Sequence, residues 1–458
     1  MSSLDVAAQV VELVRRVAPA ADAEVFHDRA TLALTRFANS YIHQNVADAT
    51  TTVRLRVHLD GRTAAGSTTV VDADGLGGLV DRTLAAARLC PPDPAWPGVA
   101  PPEPVGEGAR LDERTANASP ADRADRVRAF VDAAGGLETA GYCRTVHWVG
   151  AFANTAGQSV TGRAAAAAMD GIARAGGGVD GVSRLASRRL DDIDGAVLGD
   201  RAATKARAGV APVELPPGRY EVVLEPAAVV DLLQNLAFYG FNGKIFNERQ
   251  SFAELGVVQF DPSVTLVDDV TATGGAGLPF DMEGTPTRRV LFVTGGVTTG
   301  VAHDRRTAAE AGTSSTGHSL GSTSWGPIPT NVGLEPSPGS ANGVAVGPAA
   351  DADAAALVSR MERGLLVSDL WYTRVLDPKT LVVTGLTRNG VWLVEGGEIK
   401  QAVRNFRFTQ SYPQALGPGQ VLDIGHRAVT SADSWGGSGY TAPAVRLASW
   451  NFTGGASG

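Results

Sequence analysis

Cysteine is nearly missing from this chain: Cys90 and Cys143 are its two cysteines, and neither sits in a CxxC pair or a Cys/His cluster. That excludes a disulfide framework and the common zinc modules, so both thiols are expected to be small core residues. Lysine is confined to positions 205, 244, 379 and 400, the formal net charge is -8, and there is no Lys/Arg run. The electrostatic footprint of a nucleic-acid binder is therefore absent. No apolar run approaches the ~20 residues that span a bilayer, so no membrane association is expected. The opening MSSLDVAAQVVELVRRVAP breaks its apolar pattern with charges, unlike the core of a secretory signal, and the cytoplasm is the expected location.

What is present fits a globular protein of two or three domains, with 44% hydrophobic residues, Gly 55 and Pro 25 in 458 residues. Val6, Val10, Leu13, Val14 and Val17 recur at helical spacing ahead of Pro19. The period then changes to two in Leu32–Leu34 and in Val53–Leu59, and Asp60-Gly61 turns the chain into a further strand, 62–70. LGGLVDRTLAAARL returns to helix. Residues 90–118 begin with a Pro-rich connection, and Ser119-Pro120 opens a helix running to Ala134. Residues 160–215 are Ala/Gly-rich and weakly periodic. The domain boundary is placed near Pro216. Beyond it, the strand GRYEVVLEP feeds a helix over 226–241, and strand-like runs follow between Gly and Pro. Asn389-Gly390 and Gly396-Gly397 read as hairpin turns, LVSRMERGLLV as one of few helices, and VRNFRF (403–408) as a strand presenting Arg404 and Arg407. The expected fold is α+β: an N-terminal α/β-mixed domain, 1–215, followed by a sheet-dominated C-terminal domain, 216–458, with few helices.

The sharpest local motif is GHSLG, residues 317–321, which fits a G-x-S-x-G nucleophile elbow with Ser319 as nucleophile. His426 is the sole histidine after it, and Asp351, Asp353 and Asp369 are candidate third members. TAAEAGTSST and STSWGPIPT flank the motif without the strand and helix that the elbow requires, so a polar loop is the favoured reading. The histidines at 27, 43, 58, 147, 303, 318 and 426 are scattered, with no pair at i, i+4. His303-Asp304 and His58-Asp60 read as surface or strand-end groups. GGAG (274–277) and GGSG (436–439) read as turns.

TRFANSYIHQN (35–45) and VEGGEIKQAVRNFRFTQS (394–411), with PGRYEVVLEPAAVVDLL, the HDRRTA…STGHS region and the terminal PAVRLASWNFTGG in order between and after them, resemble the TldD/PmbA metallopeptidase family over nearly the whole chain. In that family one type of subunit carries a His-Glu-x-x-x-His zinc helix and pairs with a relative that lacks it. The resemblance places the motif on Gln234, Asn235 and Phe238, with Gln234 and Phe238 where histidines would be and Asn235 in place of the glutamate. A carboxamide is a poor zinc ligand, a phenyl ring is none, and Asn is no general base. The family's third ligand, a cysteine, falls around Trp435, and no cysteine follows Cys143. The resemblance thus implies the PmbA (TldE) type: a metal-free subunit, with no catalytic residue or cofactor of its own. Its partner would be a zinc-bearing, HExxxH subunit in a heterodimer that hydrolyses an amide bond of a short or unfolded peptide or peptide-like intermediate. The alternatives are a self-associating protein that binds a peptide or small molecule, and an autonomous hydrolase using Ser319.

Overall fold

The structure is a computed structural model; it describes residues 2–106, 108, 110–272, 274–337, 349–432 and 438–455, with backbone alone for 349–352. The first half is one antiparallel sheet of long strands, β1 (Asp22–Ala38), β2 (Tyr41–Leu59), β3 (Arg62–Thr68), β4 (Glu138–Asn154), β5 (Ser159–Ala175) and β6 (Val179–Ser187), in the order β3-β2-β1-β4-β5-β6. Asn39-Ser40 and Asp60-Gly61 make the first two turns with positive φ at both central residues, the geometry that matches strand twist. Helices cover one face. α1 (Ser3–Val17), started by a Ser2/Asp5 capping box, and α2 (Ala73–Leu89) bury Val10, Val14, Leu79 and Leu84 against Val25, Val53, Leu55 and Val57 of the sheet. After the short α3 (Glu113–Ala116), α4 (Pro120–Ala133) and α5 (Gly195–Ala208) pack over β4–β6.

Residues 160–215 depart from the sequence reading, for they form β5, β6 and α5. The run AAAAA, 164–168, is a poor strand former by propensity, yet β4 pairs with it along its length and β6 joins it at Ala167 and Ala168. On the neighbouring β6, the missing side chain of Gly181 lets α5 approach: a Cβ there would meet the Ala202 carbonyl at 2.1 Å. Tertiary packing overrides the local preference.

In the second half, β7 (Gly218–Leu224) runs into α6 (Pro226–Asn235), followed by α7 (Gly243–Asn247). Short strands β8 (Leu266–Asp268), β9 (Val290–Thr294), β10 (Val297–Thr298) and β11 (Val332–Leu334) come next, with α8 (Arg305–Ala311) among them and α9 (Ala349–Val358) after. β12 (Arg363–Asp377), β13 (Val382–Glu395), β14 (Glu398–Ala402), β15 (Phe406–Ser411), α10 (Tyr412–Ala415), β16 (Val421–Ile424), β17 (Val429–Thr430), β18 (Thr441–Ala442) and β19 (Val445–Gly455) complete the chain. The order β12-β7-β19-β15-β13 closes on itself because β13 also pairs with β12. A second sheet, β10-β9-β8-β11-β18-β17, lies on the other side of α6, which touches both. Leu232, Leu233, Leu236 and Ala237 are fully buried between them. Among the described residues no helix is long and apolar enough to cross a membrane.

Three local expectations change. Asn389-Gly390 is not a hairpin turn: β13 continues through it, and both residues oppose Ser368 alone as a bulge, with Asn389 at φ 59° and Gly390 at φ 137°. LVSRMERGLLV is not a helix, since α9 ends at Val358 and Arg363 starts β12. VRNFRF is broken, with Arg404 and Asn405 between β14 and β15. Gly396-Gly397 does turn β13 into β14.

The Pro-rich connection lies along the second half. Arg306 pairs with Asp93 at 2.7 Å, Arg288 with Glu103 at 2.8 Å, and the Arg305 guanidinium donates to the Val99 carbonyl at 3.0 Å.

Candidate functional site

The helix expected over 226–241 is α-helical to Asn235 and then opens into a π turn, Leu236–Gly240, in which the Phe241 N–H donates to the Leu236 carbonyl at 2.8 Å. Its apolar face is core, so Asp231, Gln234, Asn235, Phe238 and Tyr239 are left together on the half-buried side. A π turn brings residues five apart onto one face. The two histidines of His-Glu-x-x-x-His are themselves five residues apart, so the resemblance carries the second to Tyr239, and Phe238 is one short.

Asp231 organises this face. Its carboxylate accepts from the Tyr412 hydroxyl at 2.7 Å and the Thr373 hydroxyl at 2.8 Å, while Asn235 Nδ2 donates to the Asp231 carbonyl at 2.9 Å. Burial pushes the Asp231 carboxyl up to about 6, and Tyr412 is raised by its own burial and by facing Asp231. Thr373 reaches Asp231 from a second bulge in β12, where Tyr372 takes φ 53°. Aromatic groups border the face. Phe238 stands edge-on to Trp325 with centroids 5.3 Å apart, and Trp371 and Tyr372 are exposed, capped by Arg388 and Arg374.

These residues do not fit a zinc ion. Asn235 directs its amide nitrogen at Asp231, Tyr239 offers a phenol in place of an imidazole, Phe238 beside it offers only a ring, and Gln234 supplies one weak oxygen. Burial favours the protonated form of Asp231 against the two hydroxyl donors, and the surrounding side chains offer amide and aromatic surface.

Ser319 is buried. Its N–H donates to Asp281 at 2.9 Å, its Oγ accepts from the Gly321 N–H at 3.2 Å, and its strand-like partner is Pro327, without the strand–turn–helix frame of an elbow. Asp353 accepts from the backbone N–H of His426 at 2.9 Å, and Asp369 is paired with Arg184 at 2.9 Å. The Asp351 side chain, Trp435 and the first two glycines of GGSG lie outside the described residues. His303 and Asp304 are buried rather than at the surface, with Asp304 capping α8. Arg404 and Arg407 are exposed, and Arg404 stands 3.7 Å from Glu214.

One cluster has no signature in the sequence, because its members are far apart in it. Arg56 on β2 pairs with Glu24 on β1 and, at 2.8 Å, with Glu283 of the second half. Glu283 also accepts from the Arg305 N–H at 3.0 Å, and Asp281 accepts from three backbone N–H groups. Burial raises Glu24 to about 7, Asp281 well above the carboxylate range, and Asp304.

A family model described as the PmbA/TldA metallopeptidase C-terminal domain matches residues 217–454. No curated protein matches the chain by sequence. Among solved structures, TldE from Thermococcus kodakarensis superposes with a TM-score of 0.84 at 17% identity, covering 98% of this chain and 100% of that one. A candidate modulator of a DNA gyrase from Thermotoga maritima gives 0.82 at 18% identity, covering 98% and 99%. Another from Bacteroides thetaiotaomicron gives 0.78 at 17%, covering 98% of each. These structures share the fold through both halves, and the family model takes in more than half of the chain: it belongs to the PmbA/TldD metallopeptidase family.

Proposed function

We propose that this chain is the metal-free, non-catalytic subunit of a heterodimeric PmbA/TldD-type zinc metallopeptidase. It helps to enclose the cavity in which the partner hydrolyses an amide bond of a short or unfolded peptide or a peptide-like intermediate. The observation that supports this reading is the half-buried face of α6 and its π turn, which carries Gln234, Asn235 and Tyr239, the positions to which the resemblance assigns the motif, with Asn235 committed to Asp231. A glutamate at position 235 has a reacting water to activate; an asparagine donating to a neighbouring carbonyl has none. The exposed Trp325, edge-on to Phe238 of that face, suits contact with a substrate's apolar side chains. Specificity would then arise in part from which substrates can enter a cavity closed by two chains.

The test is to purify the chain from its native cells under gentle conditions, identify what accompanies it, and assay zinc and peptidase activity. A stoichiometric relative carrying His-Glu-x-x-x-His, with zinc and activity lost when that relative is removed, is the expected result. Stoichiometric zinc or amide hydrolysis by the isolated chain would overturn the reading.

A further inference from the structure

We propose that the outer edge of β2, from Gln44 to Thr52, receives an extended strand of the partner subunit, so that the N-terminal sheet continues from one chain into the next. The identity of the partner rests on the subunit reading above; the strand-accepting edge rests on the geometry that follows.

β2 is 19 residues long, and β3 pairs with its last seven, Val53–Leu59. β1 pairs along the inner side throughout. Among the described residues, nothing pairs with the outer side of Tyr41–Thr52. His43 is an extra, unopposed residue beside the turn, and from Gln44 onward the register is regular. The open run QNVADATTT therefore spans ~30 Å, and along it every second residue points its N–H and C=O outward.

Proteins blunt such edges with proline, lysine, bulges or a covering loop, because unpaired backbone recruits other chains. Here Asp48 is the one charged residue, proline and lysine are absent, and the bulge lies at the far end. The side chains agree with a buried destination. Leu34 opposes Val46 and Leu32 opposes Val146, so these residues lie on one face, and Leu32 and Val46 are 40% and 39% exposed. Gln44 and Asp48 flank Val46 on that face, so what reaches the unprotected edge is a small apolar patch around Val46, which fits an incoming strand of low charge with an apolar residue opposite it.

The occupant is a folded subunit rather than a loose peptide. Residues 43–50 are exposed on both faces of the sheet. A single peptide strand would satisfy the edge and leave both faces wet, whereas a subunit brings the cover along with the strand.

The experiment is hydrogen exchange on the native complex and on the isolated chain, read at residues 44–52. The expected result is exchange slowed at least about tenfold in the complex at alternate amides. Val46→Lys and Ala49→Lys should weaken association by about tenfold or more while leaving the melting temperature of the isolated chain unchanged. Leu89→Lys, at an exposed site on α2, is the control and should not alter association. A complex with the HExxxH relative that leaves residues 44–52 unprotected overturns the edge proposal and spares the subunit reading. Protection of the same residues in a homodimer keeps the strand-accepting edge and overturns the partner named here. Recovery as a monomer overturns both.

Discussion

At residue scale, the telling position is Asn235. A glutamate there would set a second carboxylate against Asp231, whose Oδ2 lies 3.4 Å from Asn235 Nδ2. Asn235→Glu should cost about 1–3 kcal/mol, from the lost donor and the like charge, and should raise the Asp231 carboxyl further. Urea unfolding of both forms at pH 5 and pH 8 would show it, with the larger loss at pH 8. Asp231 itself gives a signed prediction. Its proton is held more tightly when folded, up to about 6, so its stabilising contribution is complete below its unfolded pKa and is lost as pH rises through 6. Asp231→Asn keeps the shape and abolishes that loss, so the variant should show a flatter stability profile between pH 4 and 7. The resemblance drew attention to positions 234 and 235 but not to this carboxylate, since Thr373 and Tyr412 reach it from β12 and α10. Sequence reading also misplaced the second motif position by one residue, for the spacing of His-Glu-x-x-x-His leads from Gln234 to Tyr239.

At the scale of elements, legibility followed how local the cause was. The Asp60-Gly61 and Gly396-Gly397 turns were readable because the backbone demand falls on the residues that meet it. Asn389-Gly390 carries the same signal, and the structure uses it for a bulge instead: the strands on either side remain paired to one partner, β12. The choice between turn and bulge is made by tertiary pairing, which no dipeptide encodes. That bulge should be fragile. A Cβ on Gly390 would meet the Trp392 ring at 2.1 Å and its φ is 137°, so Gly390→Ala should cost about 2–4 kcal/mol by thermal unfolding, with the ring displaced. A change under about 0.5 kcal/mol, the range of inconsequential surface substitutions, would show that the ring moves freely and that the bulge is not tightly packed. β5 was illegible for the opposite reason, as its alanines serve the helix above them rather than the strand.

At the scale of the whole molecule, the two halves meet through buried charge. Arg56 holds Glu24 of its own sheet and Glu283 across the junction. Arg56→Met removes the cation between two buried carboxylates and should cost about 3–5 kcal/mol, read as a lower melting temperature. The same junction sets a pH response: Glu24 keeps its proton up to about 7, so stability from this group is lost as pH climbs from its unfolded value through 7 and is flat beyond. Glu24→Gln should remove that slope, a difference measurable by melting the two proteins at pH 5.5 and 8. Sequence reading expected a division near Pro216 without showing what crosses it, since Glu24, Arg56 and Glu283 become neighbours only in three dimensions.

The Pro-rich connection, tied down by Arg288, Arg305 and Arg306, has a consequence for handling the protein. β1 lies in the middle of its sheet, zipped to β4 from Glu24 to Phe37. A protease that nicks the connection therefore separates the chain covalently without separating it physically. A denaturing gel would show two bands where a sizing column shows one peak, and the two pieces, produced separately, have the surfaces needed to find each other again.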